Sequence, residues 1–146
     1  MRVFLCAFAG FSVAIPMDSV LSLMLYTRRT SKTVEYNPQN GNAYVSLPRL
    51  FRRPLEDIRH GIILKNNNDD FNQTAKNKII LLTTNVECEA EIPPKQIYPL
   101  PGVFRPFRFS AFFNGIFFNS NNHEDHPMLL LNTGQLVKNI ERKLAV

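Results

Sequence analysis

Cysteine is scarce: the chain has only Cys6 and Cys88. Small disulfide-stapled scaffolds need several bridges to replace a missing core, so that class is excluded. Cys88 stands in VECEAE, among carboxylates that disfavour a thiolate and suit it poorly to nucleophilic work. Glycine is also sparse, six in all, and builds no phosphate-cradling loop. Of the three histidines, His123 and His126 lie close together in NNHEDHP, one residue short of the HExxH zinc-protease spacing. With Glu124 and Asp125 between them they offer a weak nitrogen and oxygen ligand set for zinc or copper on a helical turn. Asn121, Asn122 and Pro127 make the segment a loop instead. The expectation is therefore no metal site, no catalytic residue, no cofactor and no enzyme.

Charge of one sign is nowhere concentrated. The net charge is +5, yet no block reaches the five or six consecutive like charges of a nucleic-acid tail. Arg49, Arg52 and Arg53 read as a solvated face, so nucleic acid is not an expected partner. Internal repeats are missing, and no glycine stands immediately before a basic pair, which removes the usual layout of an amidated-peptide precursor.

A long apolar run opens the chain. MRVFLCAFAGFSVAIPMD carries no charge between Arg2 and Asp18, with small residues at Ser12 and Ala14. A basic start, an apolar stretch and small residues before a cleavage point are the layout of a secretory signal peptide. That reading expects a hydrophobic helix over 1–14, processed after Ala14 or as late as about residue 18. Apolarity resumes in SVLSLMLY, so residues 3–26 could instead be kept as a membrane anchor, although Pro16 and Asp18 fall near mid-span. A buried core helix is the third reading.

The stretch 15–78 reads as mostly irregular and polar. Within it Arg28 and Arg29 form an exposed basic pair suited to processing. VEY and AYVSL can pair as a short hairpin, with Asn40-Gly41 in a turn that needs positive φ. Asn72-Gln73-Thr74 is a glycosylation sequon in an Asn-rich loop. Residues 79–146 read as a small, partly ordered region. Ile79 to Val86 is its best strand, followed by a proline-rich linker over 93–106 with no SH3 or WW ligand motif.

Seven phenylalanines then fall between Phe104 and Phe118. Asn114-Gly115 between aromatic flanks is a strong turn signal, predicting a β-hairpin near 108–119. Phe112, Phe113, Phe117 and Phe118 would line its faces, which must lie on a core, a partner, a membrane surface or another copy. Arg105 and Arg108 flank the block as gatekeepers or lipid contacts. A C-terminal amphipathic helix near 133–144 follows, capped by Asn132 with Gln135, with Leu136, Val137, Ile140 and Leu144 on one face.

The fold class expected is thus a small α+β chain with short strands and extensive irregular regions. The expected function is a secreted, non-enzymatic glycoprotein, acting extracellularly by binding or as a processed ligand. Its partner is an unidentified protein or another copy, with a membrane surface as a further candidate. A small membrane-tethered protein and an unspecialised reading frame are the alternatives.

Overall fold

A computed structural model of the chain describes residues 1–8, 11–26, 32–50, 59–65, 78–104, 111–118 and 127–144. Strands β1 (Arg2–Phe8), β2 (Phe11–Pro16), β3 (Val20–Leu25), β4 (Val34–Tyr36) and β5 (Ala43–Ser46) precede the short helix α1 (Leu47–Leu50). Then come β6 (His60–Leu64), β7 (Ile79–Thr83), β8 (Val86–Glu91), β9 (Phe113–Phe118), β10 (Pro127–Leu131) and helix α2 (Thr133–Leu144). Contacts divide the chain into two units, Met1–Met17 with Glu87–Val146, and Asp18–Val86. Each holds a five-stranded mixed sheet, ordered β8-β1-β2-β10-β9 in the first and β3-β6-β7-β5-β4 in the second.

The opening stretch is not a hydrophobic helix. β1 and β2 form an antiparallel hairpin, from Val3 opposite Pro16 to Phe8 opposite Phe11. They are interior strands of their sheet. Val3, Leu5 and Ala14 join Ile92, Phe117, Met128 and Leu130 in one core cluster. Phe4, Cys6, Val13 and Ile15, which alternate with them, are buried too. A strand buried on both faces has no polar side, so it reads as an unbroken apolar run and mimics a signal sequence. Ala14, the expected processing point, is fully buried and pairs with Leu5 and Leu130. The anchor reading fails with it. Residues 3–26 supply three strands, and no described helix is long and apolar enough to cross a membrane.

The expected irregularity is corrected as well. Between Val20 and Thr83 the described residues form five strands. β4 and β5 pair from Val34 opposite Val45 to Tyr36 opposite Ala43. Their connection places Gly41 at φ 73°, a conformation that costs glycine nothing. Asn37 Oδ1 accepts from Gln39 N–H and Asn40 Oδ1 from Asn42 N–H, each at 2.9 Å, which holds the turn. β5 then runs parallel to β7, and Val45, Ile62, Leu81 and Leu82 are fully buried. Tyr26 and Tyr44 meet with ring centroids 5.7 Å apart.

Thr83 ends β7 fully buried, and its hydroxyl finds no hydrogen-bond partner among the described residues. An unsatisfied buried hydroxyl is costly, and valine has nearly the same shape. Thr83→Val is therefore expected to raise stability by roughly 1 kcal/mol, read as a higher urea midpoint at constant slope.

In the first unit the segment after β8 is more than a linker. Met1 and Ile92 exchange both backbone hydrogen bonds, at 3.0 and 2.8 Å, which makes β8 antiparallel to β1. A 3-10 turn over Pro94–Gln96 follows. Ile97 packs on the core cluster, and Tyr98 exchanges two 2.8 Å bonds with Ile116 on the outer edge of β9. The chain thus passes from one edge of its sheet to the other.

The aromatic hairpin turning at Asn114-Gly115 is absent. Both residues lie inside β9, which pairs antiparallel with β10, Phe117 opposite Met128 and Gly115 opposite Leu130. Gly115 serves a close approach and not a turn. A Cβ there would lie 2.6 Å from the Tyr98 carbonyl oxygen and 2.8 Å from Ile97 Cγ2. α2 follows β10, with Asn132 Oδ1 accepting Gln135 N–H at 3.1 Å and Leu136, Val137 and Ile140 buried. The side chain of Leu144 lies outside the described residues.

The two sheets share one plan. Read from β8 and from β3, neighbouring strands are antiparallel, antiparallel, parallel, antiparallel. A helix follows the fourth strand in each, α2 after β10 and α1 after β5. In the second unit the chain visits these five positions as first, fifth, fourth, second and third. The first takes the same order circularly permuted, with β8, β9 and β10 before β1 and β2.

Candidate functional site

Among the described residues no group of three His, Cys, Asp or Glu side chains could hold a metal ion. His123, His126, Asn72, Arg28, Arg29, Arg52 and Arg53 lie outside the described residues, as do Arg105 and Arg108. Glycosylation at Asn72 was expected only as a consequence of export. Cys6 is buried, and β8 carries Cys88 with its side chain outside the described set.

What the fold does present is an aromatic edge. Of the four phenylalanines singled out from the sequence, Phe113 and Phe117 are buried, Phe112 is half-buried and Phe118 is 48% exposed. Alternation along β9 explains the division, since Phe117 faces the core cluster while its neighbour Phe118 takes the other face. Ile116 and Phe118 share that face, and Tyr98, paired directly with Ile116, joins it. Tyr98 is 55% exposed. Its ring and that of Phe118 are therefore diagonal neighbours on one edge, set by the two Tyr98–Ile116 bonds and by the missing side chain at Gly115. Val103, further along the chain, is exposed as well. The arrangement offers apolar contact area and a phenolic hydroxyl, and among the described residues it includes no group placed for acid-base or nucleophilic chemistry.

Tyr98 escapes a reading of the sequence because prolines surround it. The available signal was Ile97-Tyr98 itself, an apolar and aromatic pair with no evident reason to sit in a solvated linker.

Two five-stranded sheets of one plan, the first circularly permuted and each with a helix after its fourth strand, are a specific enough arrangement to compare. The chain resembles a scaffolding protein. The match is to TtCheW from Thermoanaerobacter tengcongensis, at 15% sequence identity and a TM-score of 0.63. It covers 92% of this chain and 86% of TtCheW. At that identity the likeness to TtCheW is one of fold. No family model matches the chain, and no curated protein matches it by sequence. The segment assigned to export forms β1 and β2, interior strands of a fold that is like TtCheW over 92% of the chain, so the secreted, processed ligand loses its basis.

Proposed function

We propose that the chain is a non-catalytic scaffold, binding a protein partner against the edge formed by Tyr98 and Phe118. The carrying observation is the near-complete match of its fold to a scaffolding protein. The exposed aromatic pair supports it, because tyrosine and phenylalanine are enriched in protein interfaces and large rings dominate their binding energy. The backbone that carries both side chains is held by a strand and a two-bond bridge, so little backbone ordering cost remains to be met on binding.

The test is purification of the tagged full chain from the cells that encode it, followed by reconstitution with each stoichiometric companion. Tyr98→Ala with Phe118→Ala is expected to weaken the reconstituted complex about 10- to 100-fold, a loss of roughly 1.4–2.8 kcal/mol, with unfolding unchanged. A complex indifferent to both substitutions, or no stoichiometric complex at all, overturns the proposal.

A further inference from the structure

The chain contains two Asn-Gly steps, Asn40-Gly41 and Asn114-Gly115. Such a step is labile, because glycine has no side chain to keep the preceding carboxamide away from its amide nitrogen. The fold treats the two differently.

At Asn114 the sheet opposes the reaction. Ile116 turns its N–H and C=O outward to Tyr98, and bonded and non-bonded pairs alternate along an antiparallel ladder. Gly115 therefore bonds toward Leu130, its partner in β10, and it is buried. A ring closed on the Gly115 nitrogen requires β9 to part from β10.

At Asn40 the turn assembles the reactants. Asn40 Oδ1 accepts from Asn42 N–H at 2.9 Å, which curls the carboxamide back over the Asn40–Gly41 peptide and brings Cγ to the side of the Gly41 nitrogen. The donor is itself fixed. Asn42 is buried, its carbonyl accepts from Asn37 N–H at 2.9 Å and its Oδ1 accepts from Lys78 N–H at 3.0 Å. An N–H held on the oxygen that gains negative charge during addition stabilises the transition state. Against this stands the bond from Gly41 N–H to Asn37 O, at 2.8 Å. That bond lies beside a three-residue edge strand, with Pro38 and Gln39 exposed, so it opens without unfolding of the unit.

We infer that Asn40 is a site of spontaneous covalent modification in the folded chain, converting to aspartate and isoaspartate with Asn42 N–H as the positioned donor. The Gly41 nitrogen, its proton taken by hydroxide, adds to Asn40 Cγ. The new N–Cγ bond replaces the Cγ–Nδ2 bond, and ammonia leaves with a proton drawn from water, which returns the hydroxide. Water then opens the cyclic imide at either carbonyl. Opening at Cγ restores the original main chain and leaves aspartate. Opening at the main-chain carbonyl routes the chain through Cγ, as isoaspartate. The net change is one water taken up and one ammonia lost. Either product places a carboxylate at the turn and lowers the net charge of +5 by one. Isoaspartate also adds a methylene to the path between β4 and β5, and so loosens their pairing. The modification lies in the other unit from Tyr98 and Phe118.

Incubation of the full chain at neutral and mildly alkaline pH, followed by peptide mapping with mass spectrometry, tests this. The Asn40 peptide is expected to gain one mass unit and to split into aspartyl and isoaspartyl forms, faster as the pH rises. The Asn114 peptide is expected to convert at least about 100-fold more slowly, a barrier difference of about 2.7 kcal/mol. In guanidinium chloride the two rates should converge, with Asn114 accelerating and Asn40 changing by less than about tenfold. An Asn40 peptide that stays unchanged in the folded chain, or equal rates at the two steps there, overturns the inference. So does an Asn40 rate that rises more than about tenfold on unfolding, since the turn would then shield the step instead of assembling it.

Discussion

A chain lacking residues 1–14 loses cooperative unfolding of the unit that contains β1 and β2. The truncation deletes Val3, Phe4, Leu5 and Val13, all buried, together with the pairing that β10 and β8 make to the hairpin. Each such side chain is worth about 1.5–3 kcal/mol of burial, so the four alone represent roughly 6–12 kcal/mol. That equals the whole stability of a typical domain, about 5–15 kcal/mol. The readout is urea unfolding followed by circular dichroism, with dispersion of the amide NMR spectrum as a second measure. A truncated chain that keeps a sharp transition and a dispersed spectrum would restore the removable leader.

Gly115→Val is the second large effect. The new Cβ meets a backbone oxygen at 2.6 Å, and backbone held by two hydrogen bonds yields less readily than a side chain. Overpacking of this kind costs about 3 kcal/mol. Most of that cost falls on the Tyr98–Ile116 bridge, so the amides of those two residues are expected to exchange about 100-fold faster. Gly102→Ala is the control, because nothing lies within 4 Å of its Cβ position, and it should leave stability within about 0.5 kcal/mol. Equal behaviour of the two variants would show that Tyr98 does not depend on the gap at Gly115.

These two sites mark where the sequence is and is not readable. The spacing of Leu136, Val137 and Ile140 with Asn132 and Gln135 carries α2, because a half-buried helix leaves a polar face. VEY and AYVS carry the β4–β5 hairpin because Gly41 supplies a positive φ that few residues accept. β1 and β2 carry no such contrast. Their faces are both buried, and Ala9-Gly10, the two residues between Phe8 and Phe11 in the register, offer the sole break in an otherwise featureless run. Asn114-Gly115 misleads for the opposite reason. A glycine can answer to a neighbouring backbone as well as to a turn, and local sequence does not distinguish the two. Tyr98 is legible only through Ile116, a partner eighteen residues away across the proline-rich stretch and the aromatic block.

The permuted order of the first sheet sets a timetable for the chain as it leaves the ribosome. β3 to β7 are consecutive, so their sheet can close as soon as Thr83 has emerged. The β1–β2 hairpin is made first yet needs β8 on one side and β10 on the other. At about 5–20 residues per second it waits on the order of ten seconds with both apolar faces uncovered. A nascent chain with that exposure is a natural client for a holdase. Slowing translation beyond β7 should lengthen its hold and raise the aggregated fraction, while leaving the finished protein unchanged.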